Sequence, residues 1–224
     1  MLVLALDTAT PAVTAGVVRL DPDGAVAELA ARVVHDGRKH GELLMPGVLG
    51  ACGDADVTLR EIEAVVVGAG PGPFTGLRVG MVTAASLGDA LGIPVYGVCS
   101  LDAIAADAVG DGIDGNLLVA TDARRREVYW AAYDAEARRL TGPTVERPDA
   151  LAERIPGLGL AAAAGSLVEQ FGLPVRGPEA PTPRGLVAAA ADLLGSGAEP
   201  GPLEPLYLRR PDAVPPGERK PVTA

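Results

Sequence analysis

The sequence predicts an α/β fold made of two similar lobes. Short apolar runs alternate with helical patterns along the chain, which is typical of proteins whose buried strands are covered by helices. Two of these runs, Leu2–Leu6 and Leu117–Thr121, end at an aspartate and are followed by a further strand pattern. Because they begin about half a chain apart, they indicate a duplicated lobe.

In the first half of the chain, turn and helix signals separate the predicted strands. Asp21–Gly24 is a strong turn sequence, and a helix is predicted to begin at His40 and to end near Leu49, before several glycines. Thr58–Glu61 is a capping-box pattern that starts a short turn of helix. The predicted strands are Leu2–Leu6, Val13–Leu20, Ala25–Val34, Ala64–Val67 and Ile93–Val98, and the last helix of this half is Ser100–Val109.

The most distinctive segment is Gly68–Gly80, which lies between the buried strand Ala64–Val67 and a long helical pattern. Glycine permits backbone conformations closed to other residues, and a helix N-terminus can bind anions. The segment lacks the Gly-Lys-Ser/Thr of phosphate loops, however, and Pro71 and Pro73 remove backbone donors. We interpret it as a rigid turn that brings helix and sheet together, with phosphate binding as the alternative. The apolar residues of the helix after it are Leu77, Met81, Ala84, Leu87 and Leu91.

The second half repeats the theme with weaker signals. Its predicted strands are Leu117–Thr121, Val128–Tyr133 and Leu158–Ala164, and its predicted helices are Pro148–Ile155 and Pro183–Leu194. We divide the chain into an N-terminal lobe (residues 1–105), a C-terminal lobe (residues 106–210) and a tail (residues 211–224). The tail is predicted to be disordered, because proline dominates the end of the sequence.

Composition and charge limit the possible functions. The net charge is −10 and the sequence pI is about 4.7, which argues against a general nucleic-acid surface. The dense basic run Arg124–Arg126 is interpreted as solvated. Cys52 and Cys99 are isolated, no apolar span reaches membrane-crossing length, and no basic leader precedes Asp7. We therefore expect a soluble cytoplasmic protein that does not enter a membrane.

The two strand-ending aspartates suggest the actin-like ATPases, in which such carboxylates help to bind Mg²⁺ and phosphates. Here Ala9 stands where glycine would let phosphate approach, and three arginines follow Asp122. The histidines His35 and His40 are five residues apart, which is not the same-face spacing of a metal pair. ATP binding is therefore the less favoured interpretation, and the residues predict no catalytic group, cofactor or metal.

Several of these motifs together resemble the TsaB family of bacterial tRNA threonylcarbamoyladenosine biosynthesis proteins, which is related to the glycoproteases. The resemblance runs in order from residue 2 to about residue 210 and is loosest between residues 161 and 195. Its most specific part is Gly70–Gly80, in which Pro73 replaces the usual serine. The resembling segments are Leu4–Thr10, His40–Pro46, Gly68–Gly80, Tyr96–Leu101, Asp122–Arg124, Glu127–Tyr129 and Tyr207–Arg209.

The resemblance implies an actin-like (ribonuclease H-like) fold of two lobes with a degenerate nucleotide site, and the role of a non-catalytic scaffold. It implies a TsaD-like partner, which transfers threonylcarbamoyl to the adenosine next to the tRNA anticodon. It also implies a TsaE-like ATPase and tRNA that reach this chain only through the complex, and it leaves a homodimer open. TsaD-like sequences carry two metal-binding histidines at the positions of Ser100 and Ile104.

Two rival interpretations remain. One is an enzyme, either an actin-like ATP-dependent phosphotransferase or a glycoprotease-type peptidase, and the other is a tRNA-binding module that acts alone. The absent histidines and the lack of an adenine-binding loop count against the enzyme. The acidic charge counts against the module.

The predicted partner surface lies on the helix after His40 and on the long helix after Phe74. The first helix carries an apolar stripe, and the second has a small residue at every fourth position, which would let a partner helix approach closely in a four-helix packing. The alternative is that both faces pack inside the lobe. The predicted interface residues are Leu43, Leu44, Val48, Gly76, Gly80, Ala84 and Gly88.

Overall fold

A computed structural model describes residues 1–209 of the chain. They form two mixed sheets with the strand orders β3-β2-β1-β4-β5 and β8-β7-β6-β9. The strands are β1 (Leu2–Asp7), β2 (Ala12–Leu20), β3 (Val26–His35), β4 (Ala64–Gly68), β5 (Val95–Val98), β6 (Asn116–Asp122), β7 (Val128–Tyr133), β8 (Arg139–Glu146) and β9 (Leu160–Ala164). The helices are α1 (His40–Asp54), α2 (Phe74–Leu91), α3 (Ser100–Gly110), α4 (Pro148–Arg154), α5 (Pro183–Ala189) and α6 (Ala191–Ser196).

The centre of the first sheet is covered on both faces, which explains the continuous apolar runs of β1 and β4. β1 lies at its centre, antiparallel to β2 and parallel to β4. Leu4, Leu6 and the same face of β4 pack against α1 and α2. Val3 and Ala5, on the opposite face, pack against α5 and α6. The end of β1 is therefore held between two helical layers.

The second sheet repeats this arrangement, since β6 is antiparallel to β7 and parallel to β9. Beside β9, residues 174–176 take the place that β5 has in the first sheet. There the N–H of Ala163 donates to the carbonyl of Pro174 at 2.9 Å, and the N–H of Arg176 donates to the carbonyl of Ala163 at 2.8 Å. The predicted duplicated α/β fold of the actin-like (ribonuclease H-like) type is confirmed.

Apart from shifts of one or two residues at element ends, three elements differ from the prediction. α1 continues past Leu49 to Asp54, because Ala51 and Cys52 are buried in the core and stabilise the turn that its glycines weaken. The predicted helix 183–194 is two helices that meet at Ala190. The edge strand β8 was not predicted, because half of its residues are polar, a Gly-Pro pair interrupts it, and none is fully buried.

The two sheets do not divide the chain at residue 105. That position lies inside α3, which packs against the second sheet through Leu101 and against the first through Ala103. Residues 183–196, predicted in the C-terminal lobe, return to the first sheet, where Leu186 and Val187 are fully buried. The predicted disordered tail lies outside the described residues. Within those residues, no helix is long and apolar enough to cross a membrane.

Candidate functional site

The candidate site surrounds Asp7, the last residue of β1, which is fully buried. One carboxylate oxygen, Oδ1, accepts a hydrogen bond from the N–H of Ala9 at 2.8 Å, and Oδ2 accepts one from the hydroxyl of Ser100 at 2.5 Å. Burial raises the pKa of Asp7 from 3.8 to about 6, although both hydrogen bonds and the charge of His40 oppose the rise. Both oxygens of this carboxylate are thus engaged within the protein.

Gly68 and Ser100 leave no free space beside the carboxylate. A Cβ on Gly68 would lie 1.7 Å from Oδ2 of Asp7, so only glycine fits there. Ile104, one turn after Ser100 on α3, is fully buried among apolar side chains. An isoleucine cannot bind a metal, and the serine hydroxyl is already used by Asp7. Among residues 1–209, no three His, Cys, Asp or Glu side chains are grouped closely enough to hold a metal ion.

Thr8, next to Asp7, explains the small residues of α2. Its hydroxyl donates to the carbonyl of Gly76 at 2.7 Å and accepts from the N–H of Gly80 at 2.9 Å. A Cβ on Gly80 would lie 2.5 Å from Oγ1 of Thr8, and one on Gly88 would lie 2.2 Å from Cγ2 of Val95. The small residues therefore let α2 approach β1 and β5, as the alternative interpretation held. The residues Gly76, Gly80, Ala84 and Gly88 are all buried inside the first lobe.

The apolar stripe of α1 is also buried inside the first lobe. Leu44 and Val48 are buried in the core between α1 and the first sheet, and Leu43 packs at its edge. These side chains are needed to cover β2 and β3, so they cannot also form an exposed surface. The two most exposed large apolar side chains of these helices are different ones, Leu49 at 56% and Val82 at 63% exposure. Six of the seven predicted interface residues are thus buried in the lobe, and the partner surface on these helices stays a prediction.

The glycine-rich segment is fixed by backbone contacts. The N–H of Ala69 donates to the carbonyl of Val98 at 2.7 Å, and the N–H of Leu206 donates to the carbonyl of Ala69 at 2.8 Å. A Cβ on Gly72 would lie 2.2 Å from the carbonyl oxygen of Ala9. Because the loop lies directly against neighbouring backbone, the geometry supports the interpretation as a rigid turn rather than an open phosphate cradle.

Asp122 ends β6 as Asp7 ends β1, but its surroundings are open. Its Oδ1 accepts from the N–H of Arg124 at 2.7 Å, while the guanidinium of Arg124 lies 3.9 Å from Oδ2. The three arginines after Ala123 are exposed and have positive φ angles of 61°, 54° and 61°. Arg209 stabilises this turn by donating to the carbonyl of Ala123 at 2.8 Å.

A contact between distant segments was missed by the sequence analysis. Phe74 at the start of α2 stacks on Tyr207 with ring centroids 5.2 Å apart, and the guanidinium of Arg78 lies 3.8 Å from the Phe74 centroid. Arg78 also donates to the Tyr207 hydroxyl at 3.0 Å. Both aromatic rings are partly exposed. The two segments appeared separately among the resembling motifs, but nothing in the sequence indicated that they touch.

The chain matches, over residues 28–194, the family model described as "TsaD: tRNA N6-adenosine threonylcarbamoyltransferase". This match spans more than half of the chain. The chain belongs to this family. It is 55% identical over 216 residues to an uncharacterized protein of Mycobacterium tuberculosis, with 95% of this chain and 94% of that protein covered.

Two further likenesses place the chain within the family. It is 35% identical over 133 residues to the "tRNA threonylcarbamoyladenosine biosynthesis protein TsaB" of Bacillus subtilis, with 59% of this chain and 55% of that protein covered. The solved structure of YeaZ from Pseudomonas aeruginosa superposes with a TM-score of 0.74 at 28% identity, and covers 92% of this chain and 99% of that one. The chain is therefore a TsaB-type member of the family, as the resemblance predicted.

Proposed function

We propose that this chain takes part in tRNA threonylcarbamoyladenosine synthesis as a non-catalytic subunit that binds and supports a TsaD-type transferase. The observation that carries the proposal is the closed environment of Asp7. Its two oxygens are held by Ala9 and Ser100, and Gly68 fits only without a side chain. A carboxylate that positions Mg²⁺ for phosphoryl chemistry must instead present an oxygen to the ion or its water.

The thiols and hydroxyls near the site give little support to a peptidase. Burial raises the pKa of Cys99 to about 12, with a smaller contribution from the charge of Asp102. Such a thiol does not supply the thiolate that nucleophilic catalysis needs. The hydroxyl of Ser100 donates its hydrogen bond to Asp7 rather than to a histidine base. The enzyme alternative therefore lacks an activated nucleophile at this site.

We infer that the transferase docks on the outward faces of α1 and α2. These helices lie side by side on the first sheet and expose Leu49 and Val82, each more than half accessible. Phe74, at the start of α2, is 45% exposed. Exposed apolar side chains on neighbouring helices suit a partner that packs its own helices against them. A second copy of the chain would compete for the same faces.

The remaining partners follow from this role. A TsaE-like ATPase is proposed to reach the chain through the complex. We propose the same for tRNA, because the chain itself is acidic, with a net charge of −10. The cytoplasm is the proposed compartment, since tRNA modification takes place there and the chain's two cysteines are unpaired.

A reconstitution tests the proposal. Purified transferase, ATPase, tRNA, ATP and the threonylcarbamoyl adenylate are assayed with and without this chain. We expect formation of the modified nucleoside to fall at least about tenfold when the chain is omitted. Unchanged formation without the chain would overturn the proposal, and hydrolysis of ATP by the chain alone would favour the phosphotransferase.

The docking face is tested with charged substitutions. Leu49→Glu with Val82→Glu is expected to abolish co-purification with the transferase and to leave the thermal melt nearly unchanged, because both side chains are exposed. The matched control is Leu140→Glu with Leu193→Glu, at exposed positions on β8 and α6. Loss of binding in the control, or retained binding in the first variant, would place the interface elsewhere.

A further inference from the structure

Residues 198–209, which we call the strap, lie outside any helix or strand and contact both lobes. The strap follows α6, which packs on the first sheet through Leu194. Near its start, the carbonyl of Ala198 accepts a hydrogen bond from the hydroxyl of Tyr96 in β5 at 2.9 Å. Its last residue, Arg209, lies beside the turn between β6 and β7. The strap therefore runs from the edge of the first sheet to a hairpin of the second.

The first lobe holds the middle of the strap. Leu203 packs against the core that α1 and α2 form with the first sheet. The N–H of Leu206 donates to the carbonyl of Ala69 at 2.8 Å, and the ring of Tyr207 stacks on Phe74 with centroids 5.2 Å apart. The strap is thereby fixed to the glycine-rich segment and to the start of α2.

The second lobe holds the end of the strap. The side chains of Leu206 and Leu208 pack against the core that β6, β7 and β9 share with α3. Nη1 of Arg209 donates to the carbonyl of Ala123 at 2.8 Å, and Nη2 donates to Oε2 of Glu127 at 2.5 Å. Because the Arg209 side chain is only 24% exposed, water and salt screen this ion pair less than one on the open surface.

The course of the strap is set by its prolines and side-chain contacts rather than by a strand ladder. Pro200, Pro202 and Pro205 restrict φ and lack a backbone N–H, so the segment needs fewer backbone partners than a strand does. The prolines also restrict the detached segment, which lowers the entropy lost when the strap binds. The strand pairs of both described sheets lie outside the strap. It can therefore detach without unpairing a strand.

We propose that the strap is a releasable link between the lobes, and that it binds and detaches as one unit. The glycine-rich segment of the first lobe and the turn after β6 in the second are then stabilised or loosened together. Leu206 couples them, because its N–H contacts the first lobe and its side chain the second. The lobes are also joined through α3, so the fold stays intact when the strap detaches. Release of the strap needs no partner and is measured on the chain alone, independently of the proposed docking.

Hydrogen–deuterium exchange of the full chain, measured by NMR at single amides, tests the proposal. One probe is the N–H of Leu206, which donates to the first lobe, and the other is the N–H of Ala123, which donates to the carbonyl of Glu127 in the second. Arg209→Gln removes the contacts with the second lobe, and exchange at Leu206 should become at least about tenfold faster. Phe74→Leu removes the stack in the first lobe, and exchange at Ala123 should become at least about threefold faster, because the coupling is reciprocal.

The control is Glu204→Gln, at an exposed position within the strap, which should leave exchange at both probes within about twofold of wild type. Combining Phe74→Leu with Arg209→Gln should speed exchange at Ala123 no further than Arg209→Gln alone, because the strap is already released. Two results would overturn the proposal. One is an Arg209→Gln variant in which exchange at Leu206 stays at the wild-type rate, which would show that the contacts are independent. The other is faster exchange throughout both sheets, which would show that the whole fold is loosened rather than the strap.

Discussion

The two hairpins of the duplicated fold end in the same local structure and in opposite environments. In both, the aspartate at the end of the first strand accepts a hydrogen bond from the N–H two residues later, at 2.8 Å for Asp7 and 2.7 Å for Asp122. Asp7 is then enclosed by Gly68 and Ser100. Asp122 instead opens toward exposed arginines.

This difference shows where a duplicated fold tolerates change. The short turn is kept in both lobes because it satisfies the orphan N–H of the chain reversal. The contacts of the second oxygen of each carboxylate differ between the two lobes. In the first lobe it helps to hold α3 and the glycine-rich segment in place, whereas in the second lobe it lies 3.9 Å from the guanidinium of Arg124. We expect substitutions in the first hairpin to change stability and those in the second to change the surface alone.

The largest effect is expected from Gly68→Ala. The added Cβ would lie 1.7 Å from Oδ2 of Asp7, inside a fully buried strand, so strand and carboxylate must both shift. We expect a loss of more than about 3 kcal/mol in the free energy of unfolding, measured by urea denaturation. The control is Gly110→Ala at the end of α3, where a Cβ meets nothing within 4 Å. Equal stability of the two variants would show that the first hairpin is less closely packed than described.

A smaller loss is expected from Gly80→Ala. Its Cβ would lie 2.5 Å from the hydroxyl of Thr8, and overpacking of this kind costs about 1–3 kcal/mol. The same substitution at Gly53 of α1, where nothing lies within 4 Å, should raise the free energy of unfolding by up to about 1 kcal/mol. If Gly80→Ala left the melting temperature unchanged, the small residues of α2 would be free to contact a partner.

The pH dependence of stability separates the two aspartates. The pKa of Asp7 in the folded protein is about 6, against an ordinary value of 3.8 for an exposed aspartate. The unfolded chain therefore loses its proton first, and stability falls as pH rises through this window. Asp7→Asn removes the effect, so its stability relative to wild type should rise by about 2 kcal/mol between about pH 4 and 7. The matched substitution is Asp122→Asn, and an equal gain there would contradict the contrast.

The smallest effect is expected from Arg124→Asn. The arginine is exposed and lies 3.9 Å from its nearest carboxylate, and asparagine tolerates the positive φ of 61°. The free energy of unfolding should therefore change by less than about 0.5 kcal/mol. A loss of more than about 1 kcal/mol in the free energy of unfolding, measured by differential scanning calorimetry, would equal the contribution of a structural hydrogen bond. It would show that the Arg124 side chain stabilises the second hairpin.

The sequence predicted the fold well because its strongest signals are local. The apolar runs of β1, β4 and β6 are buried wherever they pair, and the turn at Asp21–Gly24 needs no tertiary contact. The small residues of α2 suggested a surface, because spacing shows which residues share a face but not what covers it. The partner of that face is Thr8, far away in the sequence.

The sequence indicated several residues of the site but not the contacts between them. Strand-ending aspartates and the residues at positions 100 and 104 indicated a degenerate site. The hydrogen bond from Ser100 to Asp7 joins residues on different elements, and the stack of Phe74 on Tyr207 joins the start of α2 to a segment more than a hundred residues later. Both depend on the tertiary fold, so no local pattern carries them.

The central claim, that Asp7 supports structure rather than chemistry, is tested most directly by the turnover of the reconstituted complex with Asp7→Asn. The variant is added at a concentration that saturates assembly, and formation of the modified nucleoside is measured. Because the carboxylate is enclosed by Ala9 and Ser100, we expect turnover within about twofold of wild type. Full assembly with turnover reduced at least about a hundredfold would contradict the account, since that is the loss expected when a group that acts in the transition state is removed.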